Sequence, residues 1–138
     1  MKSHRARILA LQAIYQLQYN ERDLKQLMTF DWIDYEIPEQ EKAFAQKLIK
    51  GVLEYTEIID KIIEKYSQNW KIERISPVSK TILRISIYQM KYHLNEIPHK
   101  VVIDEALKLS KKFGEDDSGR FVNGILDTYY HQEIENQA

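Results

Sequence analysis

The chain has 138 residues, 43% hydrophobic and 30% charged, a balance that suits one soluble domain (1–138) with a modest core and excludes disorder. It contains no cysteine, so disulfides and thiolate metal sites are excluded, and no run of 18 uncharged apolar residues that would span a membrane. Its net charge of −1 advertises no nucleic-acid partner globally, while four glycines and three prolines favour long helices over many turns.

The first predicted helix runs from Ser3 to about Tyr19. Ile8, Leu11, Ile14 and Tyr15 form its apolar face, and Lys2, Arg5, Gln12 and Gln16 share a polar one. Gln12 and Gln16 interrupt the apolar part, so this is a folded amphipathic helix and not a signal peptide, and the protein is expected in the cytoplasm. Charge is unevenly spread. Residues 1–20 carry Lys2, Arg5 and Arg7 with no acid, whereas 31–41 carry Asp31, Asp34, Glu36, Glu39 and Glu41 with no base. A near-neutral protein with one basic end can steer a polyanion to that end.

A second helix is predicted from Asp23 to Trp32, with Asp23 as its cap and Leu24, Leu27, Met28 and Ile33 buried. Asp34 to Pro38 breaks it. Pro38 then opens a long helical pattern through Phe44, Leu48, Val52, Tyr55, Ile59 and Ile62-Ile63, readable as two helices meeting near Tyr55-Thr56. Gly51 inside it costs about 1 kcal/mol relative to alanine, which predicts a kink or a close helix contact. Ser67 to Ile75 is a connector containing Trp70. Ser76-Pro77 is a cap followed by proline at the first helical position, and Val78 to Tyr92 is apolar on nearly all sides, hence a central helix.

Ile97-Pro98 opens the next helix, whose apolar stripe is Val101, Val102, Ala106, Leu109 and Phe113. Gly114 is placed to end it in a left-handed conformation. Glu115 to Gly119 is a polar turn in which Asp117 or Ser118 caps a last helix, from Arg120 to about Glu133, with Glu135 to Ala138 fraying. No strand-like alternation survives. The fold class is all-α, with about six or seven helices and the short connections of a bundle.

No catalytic constellation emerges. His4, His93, His99 and His131 never fall at ligand spacing, and there is no HExxH, GxSxG or Gly-rich phosphate loop, so no cofactor is expected. Three consecutive carboxylates at Glu115 to Asp117 cannot all face one ion and read as a solvated loop, with no metal expected. What remains is a set of binding groups. Lys2, His4, Arg5 and Arg7 sit at a helix start where the dipole prefers anions, so basic residues there point to an anionic partner. Arg120 and Phe121 flank the 115–119 loop, where an aromatic at a helix start can stack on an unpaired base.

The stretch from Ile97 to Asp127 resembles the NusB family of transcription antitermination factors. The family's signature is matched by Ile97, Pro98, Val101, Ile103, Asp104-Glu105-Ala106, Leu109, Ser110, Lys111 and Phe113, then by Asp117, Ser118, Arg120 to Gly124 and Leu126. Upstream, Arg5, Ala6, Arg7, Ala10, Gln12, Ala13 and Tyr15, then Gly51-Val52, Asp60, Trp70, Arg74, Ile82-Leu83-Arg84 and Tyr88 extend the likeness over nearly the whole chain.

The resemblance implies a seven-helix fold of two packed three-helix subdomains (a NusB-like helical bundle) and a non-enzymatic role. It further implies binding of boxA-type single-stranded RNA, jointly with the ribosomal small-subunit protein NusE. NusA, NusG and RNA polymerase join indirectly, chiefly on ribosomal RNA operons, and self-association into a homodimer occurs in some relatives. By position, the RNA surface would use Lys2, His4, Arg5, Arg7, Asp117, Ser118, Arg120 and Phe121. NusE would meet Tyr15 and the start of the central helix at Ser79, where relatives can carry an acid. The two halves of the RNA surface are expected to lie side by side. Two rivals differ in class: the RNA-binding portion of a ribosomal RNA methyltransferase, and a helical protein–protein adapter.

Overall fold

Ser76 caps the central helix as its sequence predicts. Its Oγ accepts the Ser79 N–H, and Pro77 occupies the first turn, where no intrahelical bond is lost. The computed structural model describes residues 4–19, 22–68 and 70–137, and the described residues form seven α-helices and no strand. These are α1 (His4–Leu17), α2 (Leu24–Thr29), α3 (Glu39–Glu54), α4 (Thr56–Tyr66), α5 (Pro77–Tyr92), α6 (His99–Phe113) and α7 (Ser118–Tyr129). A 3-10 turn, Ile72–Arg74, lies in the connector, and α7 runs on through a π turn, Tyr130–Ile134, and a 3-10 turn, Glu135–Gln137.

α5 packs against α1 and α3 on one side and α4, α6 and α7 on the other, with α2 laid on α1. Ile82, Leu83, Ile85 and Ile87 are wholly buried within it, which accounts for the unbroken apolar run. Arg84 reaches Asp60 through two parallel bonds of 2.8 Å, tying α5 to α4 with the fork geometry that suits guanidinium to carboxylate. The long helical pattern divides at Tyr55, close to the predicted junction.

Two local expectations change. The second helix is shorter than predicted. Asp23 and Gln26 form a reciprocal capping box, but Phe30 turns left-handed at φ 58° and ends the helix, and Leu24 is left 40% exposed. Gly114 does end α6, yet at φ −93° and ψ −176°, in extended backbone. Its need is for space. A Cβ there would come within 2.7 Å of the Ser118 side chain and 2.8 Å of the Ser110 carbonyl oxygen.

Tyr129, near the end of α7, is 2% exposed and lies against Tyr66 at 6.0 Å between ring centres. Burial, with the charge of Glu133 second, pushes its phenol up to about 12. The folded value exceeds that of the unfolded chain, near 10. This contribution to stability is therefore complete below pH 10 and lost as pH rises from about 10 to about 12. We expect alkaline unfolding to cost about 2–3 kcal/mol across that window. Urea midpoints read against pH would show it, and Tyr129→Phe would flatten this part of the profile.

Candidate nucleic-acid interface

The first half of the expected surface is the start of α1, and its side chains diverge. Lys2 lies outside the described residues. Arg5 is exposed, and its Nε and Nη2 donate to the two carboxylate oxygens of Glu41 at 2.8 and 3.2 Å, with the Tyr35 ring 5.7 Å below the guanidinium. The hydrogen bond and charge of Glu41 raise the Arg5 pKa further above its ordinary value. His4 pairs through Nδ1 with Glu105 on α6, fastening α1 to that helix.

Arg7 points inward, which corrects its expected role. It is 1% exposed, its Nε donates to Gln89 Oε1 on α5 at 3.1 Å, and its guanidinium covers the Phe44 ring at 5.2 Å. Burial pulls its pKa below the usual guanidinium value, and the charge of Glu105 opposes that. The cause is helical phase. Positions 7, 10, 11 and 14 share a stripe, and Ala10, Leu11 and Ile14 are core. Arg7 is a strut between α1 and α5, with no surface to offer a phosphate in this conformation.

The second half is the loop after Gly114. Ser118 is only 9% exposed, and its Oγ accepts the Glu115 N–H at 2.8 Å, so this hydroxyl closes the turn. Asp117 occupies the cap position of α7 without a side-chain cap bond and is exposed. Arg120 is exposed, and Phe121 is half-buried, packed on the core along one side.

These residues form one wall of a cleft of about 1100 Å3 whose other wall is the connector between α4 and α5. Trp70 and Arg74, both exposed, stand there, and sequence reasoning assigned them no role. Trp70 meets Phe121 edge-on, with ring centres 6.4 Å apart and planes at 60°. The signal was available, since Trp70 is the one aromatic of the connector, flanked by polar residues on both sides. Among the described residues, no group of three or more His, Asp or Glu side chains is placed to hold a metal ion.

Ser79 also lines the cleft but is 4% exposed, so its side chain offers a partner little, another departure from expectation. Tyr15 is half-buried on α1 and leans on Tyr19 at 5.2 Å. Gln18 Nε2 donates to Thr81 Oγ1 at 2.9 Å, so the end of α1 and the start of α5, with Tyr15 and Ser79, share one end of the molecule.

The basic half and the loop half both reach α6, and Gly119 of the loop returns to lie against Leu107. α1 meets α6 at Glu105, whereas the loop leaves α6 at Gly114. Those nine positions span roughly 14 Å at the helical rise of about 1.5 Å per residue. Exposed Lys108 and Lys112 lie on the Glu105 stripe in between, spaced at three and seven residues from it.

A family model described as NusB family matches residues 4–131. A transcription antitermination protein NusB of Leptospira biflexa is 44% identical over 131 residues, covering 95% of this chain and 93% of that protein. Its counterpart in Thermodesulfovibrio yellowstonii is 40% identical over 145 residues, covering 97% and 95%. Among solved structures, T. maritima NusB superposes with a TM-score of 0.86 at 31% identity over 99% of this chain and 97% of that one. The crystal structure of antitermination factors NusB and NusE in complex with dsRNA gives 0.76 at 26% identity over 95% and 98%.

Proposed function

This chain belongs to the NusB family, and on that premise we propose that it is an RNA-binding transcription antitermination factor acting by affinity and assembly, with no reaction catalysed. It works in the cytoplasm, takes boxA-type RNA together with NusE, and joins NusA, NusG and RNA polymerase on ribosomal RNA operons. The fold shared over nearly the whole chain with a relative bound to NusE and RNA carries the reading.

On this reading the candidate residues divide the labour. Arg5 and Arg120 are exposed cations for phosphates, joined by Lys2, while Phe121 stacks and Asp117 accepts hydrogen bonds from base edges. His4, Arg7 and Ser118 hold the helix end and the loop that present them. Binding of a labelled boxA-like single strand, measured with and without NusE across a salt series, tests this. Arg120→Glu should weaken binding about tenfold or more and reduce the salt slope by about one, leaving the helical signal intact. Affinity indifferent to salt would contradict phosphate contacts. Absence of RNA binding with and without NusE would leave the adapter reading.

A further inference from the structure

We propose that the cleft between the Ser67–Ile75 connector and α7 is a nucleobase pocket, with Trp70 as the stacking platform opposite Phe121 and Gly124 as the opening through which the ribose-phosphate passes. The proposal rests on the RNA-binding reading above and assigns contacts that the family likeness did not supply.

Trp70 is 52% exposed, yet the backbone that carries it is pinned. Gln68, two residues before it, adopts φ 55°, Ser67 Oγ donates to the Trp70 carbonyl oxygen at 3.0 Å, and the Ile72 N–H donates to Glu64 at 2.7 Å. A fixed backbone thus presents a free ring over a cleft. The ring centres of Trp70 and Phe121, 6.4 Å apart, stand close to the roughly 6.8 Å that a base stacked on both faces needs, twice the 3.4 Å repeat. Swinging the exposed indole from 60° toward parallel turns the edge contact into a sandwich, and stacking of this kind tolerates any base.

Gly124 is the second, independent observation. It lies inside α7, where glycine is the least favourable residue short of proline. Its φ is not positive, it is exposed, and a Cβ built on it meets nothing within 4 Å. Nothing inside the molecule requires a glycine there. A ligand backbone approaching the helix closely would.

Charge agrees with this. Arg74 and Arg120, one on each wall, have no carboxylate partner among the described residues, unlike Arg5 and Arg84. The acidic rim at Glu115 to Asp117 would turn phosphates away from that side and toward the two arginines. An exposed tryptophan flanked by arginine also suits a protein interface. The uncommitted arginine pair and the ring spacing favour RNA.

The test uses Trp32→Phe, which leaves Trp70 as the sole tryptophan of the two in the chain, with NusE present. Mixed-sequence single-stranded RNA should quench its fluorescence, and heparin, a polyanion without bases, should not. Trp70→Ala should lower RNA affinity about tenfold while heparin binding and thermal unfolding stay unchanged, and Trp70→Phe should restore most of the loss. Gly124→Ala should raise the unfolding midpoint and still weaken RNA binding several-fold. RNA bound at full strength by Trp70→Ala, with no quenching of Trp70, would overturn the pocket and leave the RNA-binding function standing. Loss of NusE capture by Trp70→Ala with RNA binding intact would overturn it as well, making the cleft a protein dock. If the wild-type chain with NusE binds no RNA, both proposals fall together.

Discussion

Gly51→Ala should unfold about 10 °C earlier than the wild type, a loss of about 3 kcal/mol, although alanine is the better helix former by about 1 kcal/mol. A Cβ at this position of α3 would fall inside the Tyr88 ring, overlapping Cζ, Cε1 and the hydroxyl oxygen. That ring cannot step aside cheaply. It is 6% exposed, shares a hydrogen bond of 2.8 Å with His93 Nε2, and packs beside the stacked pair Tyr55 and Tyr92 with ring centres at 6.3 and 5.7 Å. Either the tyrosine cluster shifts or α3 separates from α5, and both expose apolar area. Calorimetry of Gly51→Ala, Tyr88→Leu and the double variant checks the mechanism. The smaller leucine should make the double variant more stable than the sum of the single losses. Strict additivity would mean that the glycine acts through the backbone and not through the ring.

The same glycine shows what the sequence could and could not say about the fold. A glycine in mid-helix announces a kink or a close contact, because its cost must be offset by something, but the partner 37 positions away is invisible to periodicity. Helix identities followed from the apolar period and from capping chemistry at Asp23, Ser76 and Pro98, which are local signals. The errors fell where a nonlocal contact decides. Gly114 was assigned a left-handed φ on local grounds, and the structure shows it making room for Ser118 instead. The second helix was drawn too long because nothing local marks Phe30 for left-handed backbone.

The site was legible in kind and not in arrangement. The loop residues Asp117, Arg120 and Phe121 do face one cleft, but half of that cleft comes from the connector, whose irregular backbone carries no period to read. The position of Trp70 over Phe121 depends on a left-handed turn at Gln68 that no composition rule foresees. Nor could the sequence say how the basic helix end lies relative to the loop, since that follows from where α1 crosses α6 and how α7 returns along it. Lys108 and Lys112 are exposed on α6, so on the RNA-binding reading they should contribute to the salt dependence without contributing to sequence preference.

Arg7→Glu should cost about 3–5 kcal/mol, a large share of the about 5–15 kcal/mol that a domain of this kind holds in all, and lower the unfolding midpoint by roughly 10 °C or more. The substitution removes the donor that Gln89 Oε1 accepts from at 3.1 Å and buries a carboxylate within the field of Glu105. Any loss of RNA binding in that variant would therefore carry this destabilisation and say nothing by itself of phosphate contact. The informative variant is Arg7→Met with Gln89→Met. It replaces the buried polar pair by apolar side chains of similar length, a change that is often neutral in stability. Its urea midpoint should lie near that of the wild type, and its affinity for single-stranded RNA should be unchanged. A folded double variant with RNA affinity reduced tenfold would show instead that Arg7 leaves the core to meet the RNA, exchanging Gln89 for a phosphate on binding. Reversing Arg5, which the structure leaves outside the core in its pair with Glu41, should do the opposite, lowering affinity while the unfolding midpoint barely moves. The two arginines, two residues apart, would then separate folding from binding in a single helix turn.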